Sequence, residues 1–116
     1  FTPTCSAHHL PGYLERSGEI RSRGVDSIAC LSVNDAFVMD AWRKDQGIED
    51  EIEMLADGAG LFTSAIGLEL DLSKRGYGMR SARYAMIVKD AVVTHLNVEA
   101  PGKFEVSNAA TILDLL

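Results

Sequence analysis

The segment Phe1-Thr2-Pro3-Thr4-Cys5-Ser6 places a cysteine immediately before an amphipathic stretch. That position predicts that Cys5 lies in the first turn of a helix. There, unpaired backbone N–H groups and the positive end of the helix dipole favour a thiolate over a thiol. The hydroxyl of Thr2 can donate a hydrogen bond to the sulfur, and Pro3 stiffens the approach to it. The segment therefore indicates a nucleophilic cysteine that is held in place before a substrate arrives.

The first half of the chain is predicted to contain two helices around one strand. Apolar spacing predicts a helix from the cysteine to Gly24, kinked where Pro11 and Gly12 interrupt it. The short apolar run 27–33 predicts a buried strand. A second helix, capped by residues 34–35, should end at Gly47. Four residues are predicted to form its buried stripe: Phe37, Val38, Ala41 and Trp42.

The second half is predicted to contain three strands and two short helices. Residues 52–56 should form a strand, residues 61–66 a helix closed by Gly67, and residues 68–78 a loop. Residues 83–89 and 92–99 should form a hairpin, followed by a turn at 100–102. Ser107 is predicted to cap a final helix. Three of that helix's residues should face the core: Ile112, Leu113 and Leu116. Alternating strands and helices indicate an α/β domain.

Composition favours one domain covering residues 1–116. The chain is 47% hydrophobic and 24% charged, which suits a single modest core. A net charge of −6 argues against binding to nucleic acid, and no apolar run approaches the length of a membrane span. Two cysteines suit a reducing compartment, so we expect a cytoplasmic protein, although an organellar targeting peptide preceding residue 1 would not be seen.

Several segments carry a resemblance to a known family. Thr2 and Cys5 match a signature of proline, three residues, threonine, two residues and cysteine, although its proline would precede residue 1. Further matches follow in the same order: HLPGY, IACLSVNDAFVM, LADGAGLFTSAIGLELDL, RSARYAMIV and HLNVEAPGKFEVS. Over essentially its whole length the chain resembles the type II (peroxiredoxin-five-like) peroxiredoxins. The resemblance implies a thioredoxin-like α/β fold, with a central mixed sheet flanked by helices. It also suggests that the Asp-Gly turn of the hairpin is here Asp90-Ala91, with a strained positive φ at Ala91.

The family's chemistry is a thiol-dependent peroxidase reaction, which the resemblance transfers to Cys5. Its thiolate would attack the O–O bond of hydrogen peroxide or an alkyl hydroperoxide and become a sulfenic acid. A fixed arginine is needed to stabilise the charge on the departing oxygen. Arg75, Arg80 and Arg83 compete for this role. Arg83 is favoured because it begins a predicted strand and matches the family's active-site arginine.

Cys30 has two interpretations. It can be a buried structural thiol, or, as in many type II relatives, a resolving cysteine for the Cys5 sulfenic acid. A disulfide between a helix start and a strand requires local unfolding, because the two Cα atoms must approach within about 4.4–6.8 Å. Glutathione, glutaredoxin or thioredoxin can act as the reductant instead.

The histidines do not have the spacing of a metal site. His8 and His9 are adjacent, so on a helix they diverge by about 100°, and neither a metal nor another cofactor is expected. By resemblance, His9 is a hydrogen-bonding residue behind Cys5. The absence of a Cys-x-x-Cys motif argues against thioredoxin-like disulfide exchange.

Two further expectations concern assembly and alternative function. Type II relatives commonly form homodimers near the active site, which makes Phe37 and Tyr77 candidate contact residues. The competing function is a redox-responsive binding or holdase protein with the same fold and no significant turnover. The discriminating observation is peroxide-dependent consumption of NADPH.

The resemblance also predicts an N-terminal truncation. In the family's sheet, the strand that leads into the cysteine loop lies between the Cys30 strand and the strand that follows Arg83. Without it, two half-sheets would face each other across roughly 9–10 Å, with unpaired edges in an apolar core. We therefore expect a domain that lacks its N-terminal strands, from a protein of about 160 residues. The isolated chain should be poorly folded and nearly inactive.

Overall fold

Helices and strands alternate along residues 1–116, all of which are described by the computed structural model. The helices are Leu10–Glu15 (α1), Ser17–Ser22 (α2), Ala36–Asp45 (α3), Leu61–Ala65 (α4) and Ala109–Leu113 (α5). The strands are Ala29–Ser32 (β1), Glu53–Ala56 (β2), Glu69–Leu72 (β3), Gly78–Ser81 (β4), Tyr84–Lys89 (β5) and Val92–Val98 (β6). A π-helical turn covers Cys5–His9 and a 3₁₀ turn covers Ser73–Arg75. The α/β class is thus confirmed.

The strands form three separate two-stranded sheets. β1 pairs with β2 in parallel, with Cys30 beside Met54, whereas β3 with β4 and β5 with β6 are antiparallel. The predicted pairing of the Cys30 and Met54 strands, and the predicted hairpin, are confirmed. The expected loop at 68–78 is wrong, because that region contains β3 and the start of β4. Gly76 and Gly78 have positive φ and belong to the tight connection of a hairpin.

The chain divides into two compact units, Phe1–Asp26 with Arg83–Leu116, and Ser27–Ala82. We call them the terminal unit and the central unit. In the terminal unit, α1 packs against α5, and a Cβ built on Gly12 would lie 3.9 Å from that of Ala109. The buried apolar residues of this unit are Leu10, Ile20, Ala109, Ile112 and Leu113. Leu116, also predicted to face the core, is half-buried.

The predicted first helix is interrupted at a different place from the one expected. Pro11 lies in the first turn of α1, where a missing N–H costs little, and α1 ends at Glu15, just before Arg16, whose φ is −100°. Just before the proline, the N–H of Leu10 donates to the carbonyl of Cys5, five residues back, as in a π-helix. Gly24 has φ +93° just after α2, which confirms the predicted end of the helical region.

Both turns of the C-terminal segment form as predicted, but the helix cap does not. Asp90 and Ala91 join β5 to β6 with φ values of 51° and 64°, and the Lys103 N–H donates to the Ala100 carbonyl across the next turn. Asn108, not Ser107, caps α5 by accepting from the Thr111 N–H at 2.9 Å. Ser107 does not cap the helix because it is fully buried and its hydroxyl donates to the Glu99 carboxylate.

The central unit confirms the predicted boundaries of its helices but only part of the predicted burial. Asp35 accepts from the Val38 N–H at the start of α3, and Gly47 has φ +69° after its end. Val38 is half-buried and Ala41 is exposed, and the buried residues of α3 are Trp42, as predicted, and Met39. Phe37 is 87% exposed, because it lies on the opposite face of the helix from that pair.

Two more features of the central unit differ from or extend the expectations. β1 is half-exposed over Cys30–Ser32 rather than buried, since β2 is its only hydrogen-bonded neighbour. Asp57 follows β2 and is buried, and its carboxylate accepts from the N–H groups of Phe62 and Thr63 and from the Thr63 hydroxyl. These bonds hold the start of α4. None of the helices has both the length and the apolar character needed to cross a bilayer.

Candidate active site

Cys5 lies in the first helical turn of the terminal unit, as the sequence predicts. The Ser6 N–H donates to the Thr2 carbonyl at 3.0 Å, which closes that turn, and the thiol is half-buried. In the π-helical turn that follows, His9 comes four residues after the cysteine, on the same face. Local backbone geometry thus puts a sulfur and an imidazole side by side.

Three side chains stabilise the thiolate form of Cys5. Burial by itself raises the pKa of Cys5. Hydrogen bonds from His9 and Thr2, the charge of Arg83 and a hydrogen bond from that guanidinium more than offset it and lower the pKa to about 7. The Nη2 atom of Arg83 lies 3.6 Å from Sγ. A substantial fraction of Cys5 is therefore thiolate at neutral pH.

Arg83 is held on two sides, and one of its buried nitrogen atoms has no hydrogen-bond partner. Its Nη1 donates to the Lys103 carbonyl at 3.3 Å, and its guanidinium carbon lies 5.6 Å from the centre of the Phe104 ring. Its own carbonyl accepts from the Glu99 N–H at the end of the β5–β6 ladder. The Nε atom is buried and has no hydrogen-bond partner. The Lys103 carbonyl and the Phe104 ring thus hold the guanidinium where Nη2 contacts the Cys5 sulfur.

His9 is fixed by the loop that follows β6. Its Nε2 atom is 3.1 Å from the Ser107 carbonyl, a contact that orients the ring. The ring packs edge-on against Phe104 at 5.3 Å and lies 5.6 Å from Tyr13. The Tyr13 hydroxyl donates to the same Ser107 carbonyl at 2.8 Å, and burial raises the pKa of Tyr13.

Sequence reasoning missed the residues that support this arrangement. Phe104 contacts both Arg83 and His9, and Glu99 binds the backbone of the same loop, yet neither was a candidate. The available signal was Glu99 itself, since an acidic residue directly after a seven-residue strand can be buried as an acceptor for loop N–H groups. Ser107 is predicted only as a helix cap, whereas its N–H and hydroxyl bind Glu99.

The remaining sequence candidates lie outside this arrangement. Arg80 donates from Nε to the Tyr77 carbonyl at 2.9 Å, within the central unit, and Arg75 ends the 3₁₀ turn. Cys30 lies in β1, also in the central unit, and no disulfide is present. The structure therefore brings together Thr2, Cys5, His9 and Arg83.

Known proteins share this sequence and architecture. The family model described as Redoxin matches residues 1–113. The whole chain is 55% identical to Peroxiredoxin-2E, chloroplastic, and 50% identical to Peroxiredoxin-2B, both of Arabidopsis thaliana. It spans 50% of the length of the first and 72% of the second. The crystal structure of reduced Prx3 in complex with H₂O₂ from Vibrio vulnificus is 59% identical, with a TM-score of 0.95. The match covers 100% of this chain and 74% of that one.

Proposed function

The chain belongs to the peroxiredoxin family, and from that premise we propose that it is a thiol-dependent peroxidase whose nucleophile is Cys5. Its fold is the thioredoxin-like α/β fold that the resemblance implied. The names of its relatives also agree with the type II branch. The observation that carries the proposal is the contact of Arg83 with the Cys5 sulfur, at 3.6 Å.

The first step is a two-electron displacement at oxygen. The Cys5 thiolate attacks one peroxide oxygen of ROOH, the S–O bond forms as the O–O bond breaks, and the departing RO⁻ takes up a proton. Cysteine is oxidised to sulfenic acid, while the peroxide is reduced to water or an alcohol. Arg83 stabilises the charge on the departing oxygen, and Thr2 donates a hydrogen bond at the sulfur.

The second step returns Cys5 to a thiol. A thiol reductant attacks the sulfenic sulfur, releases water and forms a disulfide with Cys5, and a second thiol then releases Cys5 as thiolate. We propose glutaredoxin with glutathione, or thioredoxin, as the source of these thiols. Cys30 is the intramolecular alternative. It would need local unfolding to form an acceptable disulfide.

The proposed assembly follows from the family, and the proposed compartment follows from the two cysteines of the chain. We propose a homodimer in which Phe37, 87% exposed, and Tyr77, 50% exposed, are contact residues. The proposed location is a reducing compartment, the cytoplasm.

The dimer is argued from exposed apolar side chains, because burial of such large apolar side chains is favourable on association. Sedimentation of the native protein and a Phe37→Asp variant tests the dimer, which the charged side chain should dissociate.

A coupled assay tests the peroxidase. We expect NADPH to be consumed in proportion to added peroxide when the native protein, purified at its full length, is supplied with glutathione, glutaredoxin and glutathione reductase, or with thioredoxin and its reductase. The Cys5→Ser variant, which lacks the nucleophile, should show no consumption above background. A protein that prevents aggregation of a client after oxidation, yet consumes no NADPH with either system, would instead be the redox-responsive holdase.

A further inference from the structure

Glu99 is a buried carboxylate bound almost entirely by backbone. It is 6% exposed, and Oε2 accepts from the N–H groups of Glu105, Val106 and Ser107 at 2.8–2.9 Å and from the Ser107 hydroxyl at 2.8 Å. Oε1 accepts from the Glu105 N–H at 3.0 Å. Three consecutive N–H groups thus converge on one anion, as in a nest, and no ion pair involves this carboxylate.

The hydrogen bonds are strong enough to keep Glu99 charged. Burial would raise the pKa of Glu99, but the donors of Glu105, Ser107 and Val106 lower it to about 2. Burying a charge is costly, and an apolar side chain would hold a loop against the core at lower cost. Unlike an apolar side chain, the carboxylate fixes the orientation of the loop backbone, because each N–H that donates to it sets the orientation of one peptide plane.

The loop that Glu99 binds supplies the immediate supports of the reactive cysteine's partners. The Lys103 carbonyl accepts from Arg83, and the Phe104 ring contacts both Arg83 and His9. The Ser107 carbonyl accepts from His9. Arg83 and His9 are two of the groups that lower the pKa of Cys5. A single loop, residues 103–107, therefore sets the positions of both.

We propose that Glu99 is a positioning residue for the peroxidatic centre: by binding the 105–107 backbone it holds Arg83 and His9 at Cys5. The importance of Glu99 for turnover rests on the proposed function. Its effect on the pKa of Cys5 can be measured without peroxide turnover. Glu99 does not touch substrate, and it acts only through the loop.

The direction of the effect separates positioning from direct electrostatics. Glu99→Gln removes a negative charge, which by itself would favour the Cys5 thiolate and lower its pKa. Lost positioning would do the opposite, because Arg83 and His9 would no longer stabilise the thiolate. A rise in the pKa of Cys5 in this variant is therefore a specific sign of the proposed role.

Asp57→Asn is the matched control. Asp57 is also a buried carboxylate that binds backbone N–H groups and one hydroxyl, but it belongs to the central unit and holds α4. Both substitutions replace a carboxylate by its amide and should lower thermal stability. Only Glu99→Gln should alter the titration of Cys5.

The experiment measures the rate of iodoacetamide alkylation of Cys5 against pH, located by peptide mass spectrometry, in the purified protein and both variants. For Glu99→Gln we expect the midpoint to rise by about one pH unit, so that the thiolate fraction at pH 7 falls roughly fivefold. Asp57→Asn should leave the midpoint unchanged. An unchanged or lowered midpoint for Glu99→Gln, or an equal rise for Asp57→Asn, would overturn the proposal.

Ser107→Ala covers the case in which Glu99→Gln does not fold. This substitution removes the hydroxyl that donates to Oε2 of Glu99 but keeps the backbone carbonyl that binds His9. A smaller shift in the same direction is expected, and no shift would overturn the proposal. Because alkylation needs no peroxide and no reductant, these results stand apart from the coupled assay. Loss of NADPH turnover in the unmodified protein would count only against the peroxidase assignment.

Discussion

The terminal and central units each contain a cysteine, an arginine, and a buried carboxylate bound to a hydroxyl, but they use these groups differently. In the terminal unit, the Glu99 loop supports Arg83, whose guanidinium reaches the Cys5 sulfur. In the central unit, Asp57 holds the start of α4, and Arg80 binds the carbonyl of Tyr77. The same residue types therefore serve different ends in the two units. In the terminal unit donors converge on the Cys5 sulfur, whereas in the central unit the Asp57 carboxylate and Arg80 bind backbone groups.

The largest difference between the units should be seen on exchanging each cysteine for serine. Cys5→Ser should abolish oxidation by peroxide, because serine is not ionised at neutral pH and its oxygen does not form a sulfenic acid. Cys30→Ser should leave the first oxidation intact. Single-turnover oxidation followed by a sulfenic-acid trap and mass spectrometry measures both. If no sulfenic acid is trapped in the Cys30→Ser protein, Cys5 is not the residue that peroxide oxidises first.

The next effect concerns the two arginines. Arg83→Lys keeps the charge but loses the planar fork that can contact sulfur and peroxide oxygen together. We therefore expect peroxide attack to slow by a factor on the order of 10². Arg80→Lys, in the central unit, should leave the rate unchanged. Stopped-flow measurement of the second-order rate with hydrogen peroxide compares them. A slower Arg80→Lys with a normal Arg83→Lys would transfer the role to Arg80.

The third effect is in pH dependence. Because the pKa of Cys5 is lowered to about 7, its alkylation rate should be half-maximal near pH 7 and level off above it. The lowered pKa also affects stability: ionisation of Cys5 stabilises the folded state fully above the unfolded pKa of about 8.5, and this contribution decreases as pH falls and is lost below about 7. Peptide-resolved alkylation from pH 5 to 10 tests the first point. A Cys5 midpoint at 8.5 or above would show that the convergence on the sulfur does not stabilise the thiolate.

The smallest effect compares backbone conformation in the two units. Ala91→Gly should stabilise the terminal unit by about 0.5–1 kcal/mol, since φ is +64° there and glycine removes the penalty for a Cβ. Ala41→Gly, at an exposed position inside α3 of the central unit, should destabilise by about 0.8–1 kcal/mol. Urea unfolding gives both values. Equal signs would contradict a positive φ at Ala91. Neither change should alter Cys5 alkylation.

Several elements were predictable because their signals are local. The Asp35 cap, the breaks at Gly24 and Gly47, and the Asp90-Ala91 hairpin each depend on residues close together in the chain. The loop predicted at 68–78 is wrong because Gly76 and Gly78 only connect and begin strands, while the alternating Leu70 and Leu72 belong to β3. Burial on α3 was also mispredicted, because a helix offers several apolar faces and only its neighbours decide which one is covered.

The sequence by itself identified three candidate site residues: Cys5, Thr2 three residues before it, and Arg83, which the family resemblance selects. Each is either local or identified by its motif. Only the tertiary structure decided what supports them. Glu99 lies 94 residues from Cys5 in the chain, and its effect depends on a loop turning its N–H groups inward. Contacts across such a distance leave no periodic signal, because they arise from how the elements pack. The lowered pKa of Cys5 is thus a property of the folded arrangement, built from residues that the sequence could name only in part.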